Sequence, residues 1–461
     1  PFVICFYNGG IVTTGMDATY YYTRYFDNIE DVALFGLENF DMLTRACETA
    51  NHTVENSSLS DSRKFMLSHS IRSYYGSTEL LCLDGKPLWI VNEGEYRMMN
   101  TLDLTVDMLF YEMKMNPWTV RNVLEMFKDR FSYYDTVRYP ESEEEYPGGI
   151  SFTHDMGVIN NFTRKGHSSY EMYGKGNFFA HMTHEQLVNW TLCGLVYVEQ
   201  TGDKDWLDNN IGTLKECLQS MLNRDDADPA KRDGVMSMES SRMLGGEEIT
   251  TYDSLDASLG RSRGNLYLAV KCWAAYVALE KVFNSCGMPD PAIESGKQAQ
   301  NCANTIVNHM TEWGFIPALL EKNNTFKIIP AIEGLVFPYF TGCKEALDAN
   351  GRFGELIKAL KRHLNTILVK GVCLFEDGGW KLSATSDNSW LSKIYLCQFV
   401  AHKILDFPRS ENDDISDTAH AAWLTHTELS YWSWSDQIIK GRITGSKYYP
   451  RGVTSILWLN G

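Results

Sequence analysis

The sequence predicts an all-α fold: an (α/α)6 barrel preceded by a short β-rich N-terminal segment. Three observations point there. Apolar residues recur at the helical period along most of the chain beyond residue 59. The segments so marked number twelve, and six long connections alternate with shorter ones between them. No repeated sequence unit accompanies that alternation, which separates it from a helical solenoid.

Residues 1–28 read as β, because Ile11-Val12-Thr13-Thr14 and Thr19-Tyr20-Tyr21-Tyr22-Thr23 are rich in β-branched and aromatic residues between glycines. Phe2 to Tyr7 also reads as a strand already under way behind Pro1, so the chain is expected to be cut from something longer. After Asp27 the period changes. Leu37, Phe40, Leu43 and Cys47 recur at three and four residues, predicting a linker helix within 29–58. From 59 to 461 the spacing predicts helices over 59–73, 103–115, 118–132, 184–200, 204–223, 258–283, 292–312, 331–340, 352–369, 389–405, 415–428 and 451–459. The stripes Val120, Val123, Leu124, Phe127 and Leu356, Leu360, Leu364, Leu368 show the pattern. The long connections are 84–102, 133–183, 224–257, 313–330, 370–388 and 430–450. In an up-and-down barrel these all emerge at one end, where a rigid scaffold usually carries its site.

Composition narrows the function. The chain has 461 residues and a net charge of −17, which repels nucleic-acid phosphates and anionic lipid, so neither nucleic acid nor a membrane is an expected partner. No run of about 18 apolar residues occurs to span a bilayer. The eleven cysteines are scattered singly, with no C-x-x-C pair, which suits a reducing compartment, the cytoplasm, better than a disulfide framework. No metal-ligand spacing and no nucleotide-binding or nucleophile-elbow motif is present, so no cofactor and no metal is expected.

Candidate chemistry therefore lies in the polar residues of the long connections. In Asn92-Glu93-Gly94-Glu95-Tyr96, two acids flank a glycine that permits close backbone approach; the alternative is a capping turn with solvated acids. His154-Asp155 could bind sugar hydroxyls, while His181 and His184 read as structural. The acids of Glu247 to Asp256 are either catalytic or helix caps. Trp432 to Gln437 interleaves aromatic and polar residues close to Lys447. Acids and aromatic rings on one face are what glycoside hydrolysis needs: two carboxyls about an anomeric carbon, with rings for the sugar face.

The blocks Asn92–Asp103 (NEGEYRMMNTLD), Gly148–Gly157 (GGISFTHDMG), His181–Trp190 (HMTHEQLVNW), Glu248–Leu259 (EITTYDSLDASL), Ile329–Phe340 (IPAIEGLVFPYF) and Gly445–Trp458 (GSKYYPRGVTSILW) resemble glycoside hydrolase family 52, the β-xylosidases. The resemblance implies a β-sandwich followed by an (α/α)6 barrel, with 1–28 as the last sandwich strands, 29–58 as the linker helix and 59–461 as the catalytic barrel. It implies a retaining exo-β-1,4-xylosidase acting on xylo-oligosaccharides, with Glu93 as nucleophile and Asp253 as acid/base; Glu95 is the runner-up nucleophile. Similarity to the related family 116 glucosidases and glucosylceramidases implies sugar contacts from Asp103, His154, Asp155 and Thr251. That family's Glu and Arg for the outer hydroxyls have no clean counterpart here, although Asp436 and Lys447 lie in the right region, and Trp434 beside them is a candidate stacking ring. A β-glucosidase, a non-catalytic sugar-binding barrel and a homodimer stay open.

Overall fold

The computed structural model describes residues 2–176, 178–243, 247–252, 256–429 and 434–460. Six segments form a closed inner ring: Leu102–Met115, Thr183–Thr201, Leu266–Ser285, Pro330–Leu335 running into Val336–Phe340, Leu391–Lys403 and Pro450–Asn460. Each packs on the next and the last packs on the first. Their apolar residues lie on all faces, so they bury all faces. Every residue from Leu102 to Glu112, from Thr183 to Tyr197, from Leu266 to Leu279 and from Leu391 to Ala401 is buried.

The outer ring is Asp61–Gly76, Pro117–Arg130, Lys204–Asp225, Pro289–Asn308, Gly354–Ile367 and Glu411–Leu424. These helices are amphipathic. Gly354–Ile367 buries Leu356, Ile357, Leu360, His363, Leu364 and Ile367 and leaves its charged face to water. The (α/α)6 barrel is therefore the observed architecture, with each of the twelve predicted segments in one of the two rings.

Close packing reshapes three inner segments. A Cβ at Gly334 would stand 2.6 Å from the Val270 carbonyl carbon, and one at Gly452 would stand 2.5 Å inside the Trp434 ring. Both glycines let neighbours touch backbone, and both sit in tighter 3-10 helix rather than α-helix. The helix predicted over 258–283 is divided: Ala257–Gly260 is a short turn, and Leu266–Ser285 starts afresh with Asn265 capping the Tyr267 N–H.

The N-terminal expectation needs correcting. Within 2–28 only Thr19–Tyr20 forms strand, paired with Leu81 and Cys82, and Tyr21–Arg24 is 3-10 helix. β-propensity without a partner edge does not make a sheet. The segment expected as one linker helix is two helices, Ile29–Glu38 and Phe40–Glu55, broken at Asn39, whose side-chain amide donates to the Phe35 carbonyl.

The long connections each precede an inner segment, and several carry sheet. Thr78–Leu83 pairs with Lys86–Val91, and Ser132–Arg138 pairs with Glu145–Phe152. Ser435–Ile439 lies between Arg442–Lys447 and Asn388–Trp390. All eleven cysteines are free, and Cys193, Cys217, Cys272 and Cys302 are buried. Among the described residues no helix is long and apolar enough to cross a membrane.

Candidate active site

The strand Lys86–Val91 delivers the chain to a ten-residue loop that ends at the first inner helix. Asn100 pins that loop: its carboxamide accepts from the Val91 N–H at 2.7 Å and donates to the Trp89 carbonyl at 2.9 Å. Gly94 has φ +49°, and a Cβ there would stand 2.4 Å from the Lys447 carbonyl oxygen, so the loop closes on the Arg442–Lys447 strand only with glycine. Left-handed Arg97 and Asn100 complete the turn. Backbone strain of this kind gathers where structure holds a side chain in place.

The side chain so held is Glu93. It is 8% exposed and faces a cavity of about 220 Å³. Its Oε1 accepts from the Tyr449 hydroxyl at 2.6 Å, and its buried Oε2 has no hydrogen-bond partner among the described residues. Burial pushes its pKa up to about 7; His154 opposes the rise and Asp103 adds to it.

Asp103 is the second residue of its helix. Its Oδ2 accepts from the Thr251 hydroxyl at 2.8 Å, and its Oδ1 stands 3.5 Å from His154 Nε2. His154 Nδ1 lies 3.0 Å from Asp155 Oδ2. Burial alone would lower the imidazole pKa, but the Asp155 hydrogen bond and the charges of Asp103, Asp155 and Glu93 raise it to about 9. Asp155 is itself anchored by the Gly157 and Ser169 N–H groups, at 2.9 and 2.8 Å. The Thr251 N–H donates to Glu185 Oε2 at 2.9 Å, and Glu185 Oε1 accepts from Tyr267 at 2.7 Å.

The remaining cavity wall is largely aromatic: Tyr96, Tyr170, Phe179, Trp390 and Tyr449, with Gln437 and Ser446. Arg451 is fully buried and stacks 4.1 Å from the centre of the Trp390 ring. Behind it, Lys393 bridges Asp107 and Glu333, each at 2.9 Å. This buried ionic layer gives the cavity a stiff base.

Glu93, Asp103, His154 and Thr251 thus share one cavity, and Asp155 orients His154 from behind. Asp253 lies outside the described residues. Three other expected sugar contacts need correcting, because none lines the cavity. Trp434 is fully buried against Gly452 and Tyr395. Asp436 is consumed by Arg451 and by the N–H and hydroxyl of Ser392. The Lys447 N–H donates to Glu95 at 3.2 Å, and its ammonium is 4.0 Å from the same carboxylate. Glu95 therefore ties the loop to the neighbouring strand from outside the cavity. The residues that do line the cavity there, Gln437 and Ser446, are their immediate neighbours, but strand alternation does not predict both: Gln437 pairs with Gly445 and Ser435 with Lys447, and Ser446 departs from the strand pattern with a left-handed backbone (φ +51°). Tyr449, within the quoted Gly445–Trp458 block, received no role from sequence.

His184 is structural, as expected. It is buried, bonds the Met238 carbonyl at 2.7 Å, and its pKa is pushed down to about 3 by burial. Among the described residues no group of three or more His, Cys, Asp or Glu could hold a metal ion.

Residues 1–197 match the family model described as Glycosyl hydrolase family 52. The chain is 62% identical over 458 residues to a β-xylosidase of Geobacillus stearothermophilus, covering 99% of this chain and 65% of that protein. It is 48% identical over 324 residues to another β-xylosidase of the same organism, covering 70% of this chain and 52% of that one. The chain thus spans less than two thirds of either relative. In fold it is similar to a metal-independent alpha mannosidase from Streptococcus pneumoniae, with TM-score 0.55, 9% identity, and coverage of 91% of this chain and 97% of that one.

Proposed function

We propose that the chain belongs to glycosyl hydrolase family 52 and that residues 59–461 are the catalytic barrel of a retaining β-xylosidase. It removes xylose from the non-reducing ends of short xylo-oligosaccharides. Glu93 attacks the anomeric carbon while Asp253 protonates the glycosidic oxygen; Asp253 then acts as base and activates the water that hydrolyses the xylosyl-enzyme. Asp103, His154 and Thr251 bind the ring hydroxyls, and Asp155 positions His154.

The observation that carries this reading is the state of Glu93. One carboxylate oxygen is held by Tyr449, and the other is buried without a partner in a carboxylate that faces the cavity. Glu112 shows the same pairing, one oxygen on Tyr74 and the other unpartnered among the described residues, but it does not line this cavity; the unpartnered carboxylate at the cavity is what suits a nucleophile. Retention also requires the Glu93 and Asp253 carboxyls to stand roughly 5–5.5 Å apart. The two β-xylosidases that the chain resembles support xylose as the sugar released. The free cysteines favour the cytoplasm, and the net charge of −17 disfavours a nucleic-acid partner.

Hydrolysis of an aryl β-xyloside followed by NMR of the first-formed sugar tests the reading. Release of β-xylose, with faster turnover than the matching aryl glucoside, is the expected result. First-formed α-xylose would overturn retention, and preference for the glucoside would overturn the substrate.

A further inference from the structure

Gln437 stands directly opposite Gly445 on one flanking strand and Trp390 on the other. Side chains paired across strands in this way share a sheet face, so Gln437 lies beside the Trp390 ring at the cavity wall. The register shifts immediately after Gln437, and such a bulge re-aims the side chain next to it. Gly445 is the seat for that side chain. A Cβ there would stand 2.3 Å from Gln437 Oε1 and 3.3 Å from the Tyr96 hydroxyl, so the carboxamide lies over bare backbone and reaches toward Tyr96. Among the described residues, no group hydrogen-bonds that carboxamide.

Here a half-buried amide is seated over a glycine at the wall of the cavity, with no hydrogen-bond partner among the described residues. An amide both donates and accepts, as a sugar hydroxyl does, and it carries no charge at any working pH. The charged groups Asp103 and His154 serve elsewhere in the cavity.

We propose that Gln437, seated over Gly445, is a specificity-determining residue that reads one ring hydroxyl of the bound sugar. This deepens the reading above and rests on it for the identity of the sugar. Because no described residue hydrogen-bonds the carboxamide, Gln437→Leu should leave thermal stability unchanged while weakening binding. Gly445→Ala should act similarly by driving the amide off its seat.

The test is a cycle of protein and ligand deletions. Calorimetry measures xylose and its 2-, 3- and 4-deoxy derivatives binding to the wild-type chain and to Gln437→Leu. One deoxy sugar should bind the wild type about fivefold to tenfold more weakly than xylose, and that gap should close in the variant. Gaps that are the same in both proteins for every deoxy sugar would overturn the proposal, as would a variant that binds xylose as tightly as the wild type. If glucose binds and xylose does not, the xylosidase reading falls, and the same cycle run with deoxyglucoses decides the role of Gln437 separately.

Discussion

Removing the Tyr449 hydroxyl should move the acid limb of the pH–rate profile toward higher pH. Glu93 must be ionised to attack, and burial already holds its pKa at about 7. The Tyr449 hydroxyl, 2.6 Å from Oε1, is the direct hydrogen bond that stabilises its charged form. A hydrogen bond to a charged group contributes about 1.5–3 kcal/mol. One pKa unit corresponds to about 1.4 kcal/mol, so Tyr449→Phe should raise the Glu93 pKa by roughly one to two units. The sign follows directly. Below its pKa Glu93 is protonated and inert, so a higher pKa removes activity first on the acid side. At a pH one unit below the wild-type limb the variant should lose about tenfold or more, and it should recover as pH rises. The assay is kcat/KM against pH with an activated aryl xyloside, whose good leaving group makes the alkaline limb shallow. An acid limb that stays put, or moves to lower pH, would refute the role given to Tyr449.

Four further outcomes are expected. Glu93→Gly should abolish turnover of aryl xyloside and regain it with added azide; full activity without azide would transfer the nucleophile to another residue. Asp253→Ala should slow substrates with poor leaving groups by about 10²–10⁴ and activated ones less, and equal losses for both would contradict the acid role. Gly94→Ala forces a Cβ to within 2.4 Å of the Lys447 carbonyl at φ +49°, so kcat should collapse while circular dichroism shows the barrel intact. Arg63→Met strands Asp417, which is buried beside the guanidinium, and should cost about 3–5 kcal/mol in reversible denaturant unfolding; an unchanged midpoint would show that the pair contributes nothing.

The two rings of the barrel were legible in sequence because their helices obey one rule at two settings. Outer helices such as Gly354–Ile367 show a single stripe, and inner ones such as Leu266–Ser285 are apolar all round. Helical periodicity says nothing of the strands between the helices, yet the Asp84-Gly85 pair between Leu83 and Lys86 is a hairpin signal. Both residues have positive φ, as a tight hairpin turn needs. The β reading of residues 2–28 failed for the opposite reason: tyrosines and threonines supply propensity, but only Thr19 and Tyr20 find an edge to pair with. Glu93, Asp103, His154 and Thr251 were found by motif and are gathered in one cavity across long stretches of chain. Trp434, Asp436 and Lys447 were placed by region. Gln437 and Ser446 line the cavity instead, beside a bulge after Gln437 and a left-handed Ser446 that break simple strand alternation, which no regional placement anticipates.

The electrostatics of the cavity explain why these residues come as a set. Glu93 and Asp103 are two buried acids in one small space, and burial raises the Glu93 pKa to about 7. His154 supplies one positive charge between them, and it remains protonated because its pKa is raised to about 9. It does so only while Asp155 holds Nδ1, which turns Nε2 toward Asp103. Asp155 is in turn fixed by two backbone N–H groups rather than by a mobile side chain. Removing Asp155 would therefore act on Glu93 from a distance: the imidazole would deprotonate near neutral pH, the charge opposing burial would vanish, and the Glu93 pKa would climb. Asp155→Asn should accordingly shift the acid limb in the same direction as Tyr449→Phe, without touching Glu93. In the double variant the limb should sit above that of either single change, because one loss is a hydrogen bond and the other a Coulombic charge; both act on Glu93, so strict additivity is not required. A double variant whose limb sits no higher than that of either single change would mean that Tyr449 and His154 do not act on the nucleophile independently.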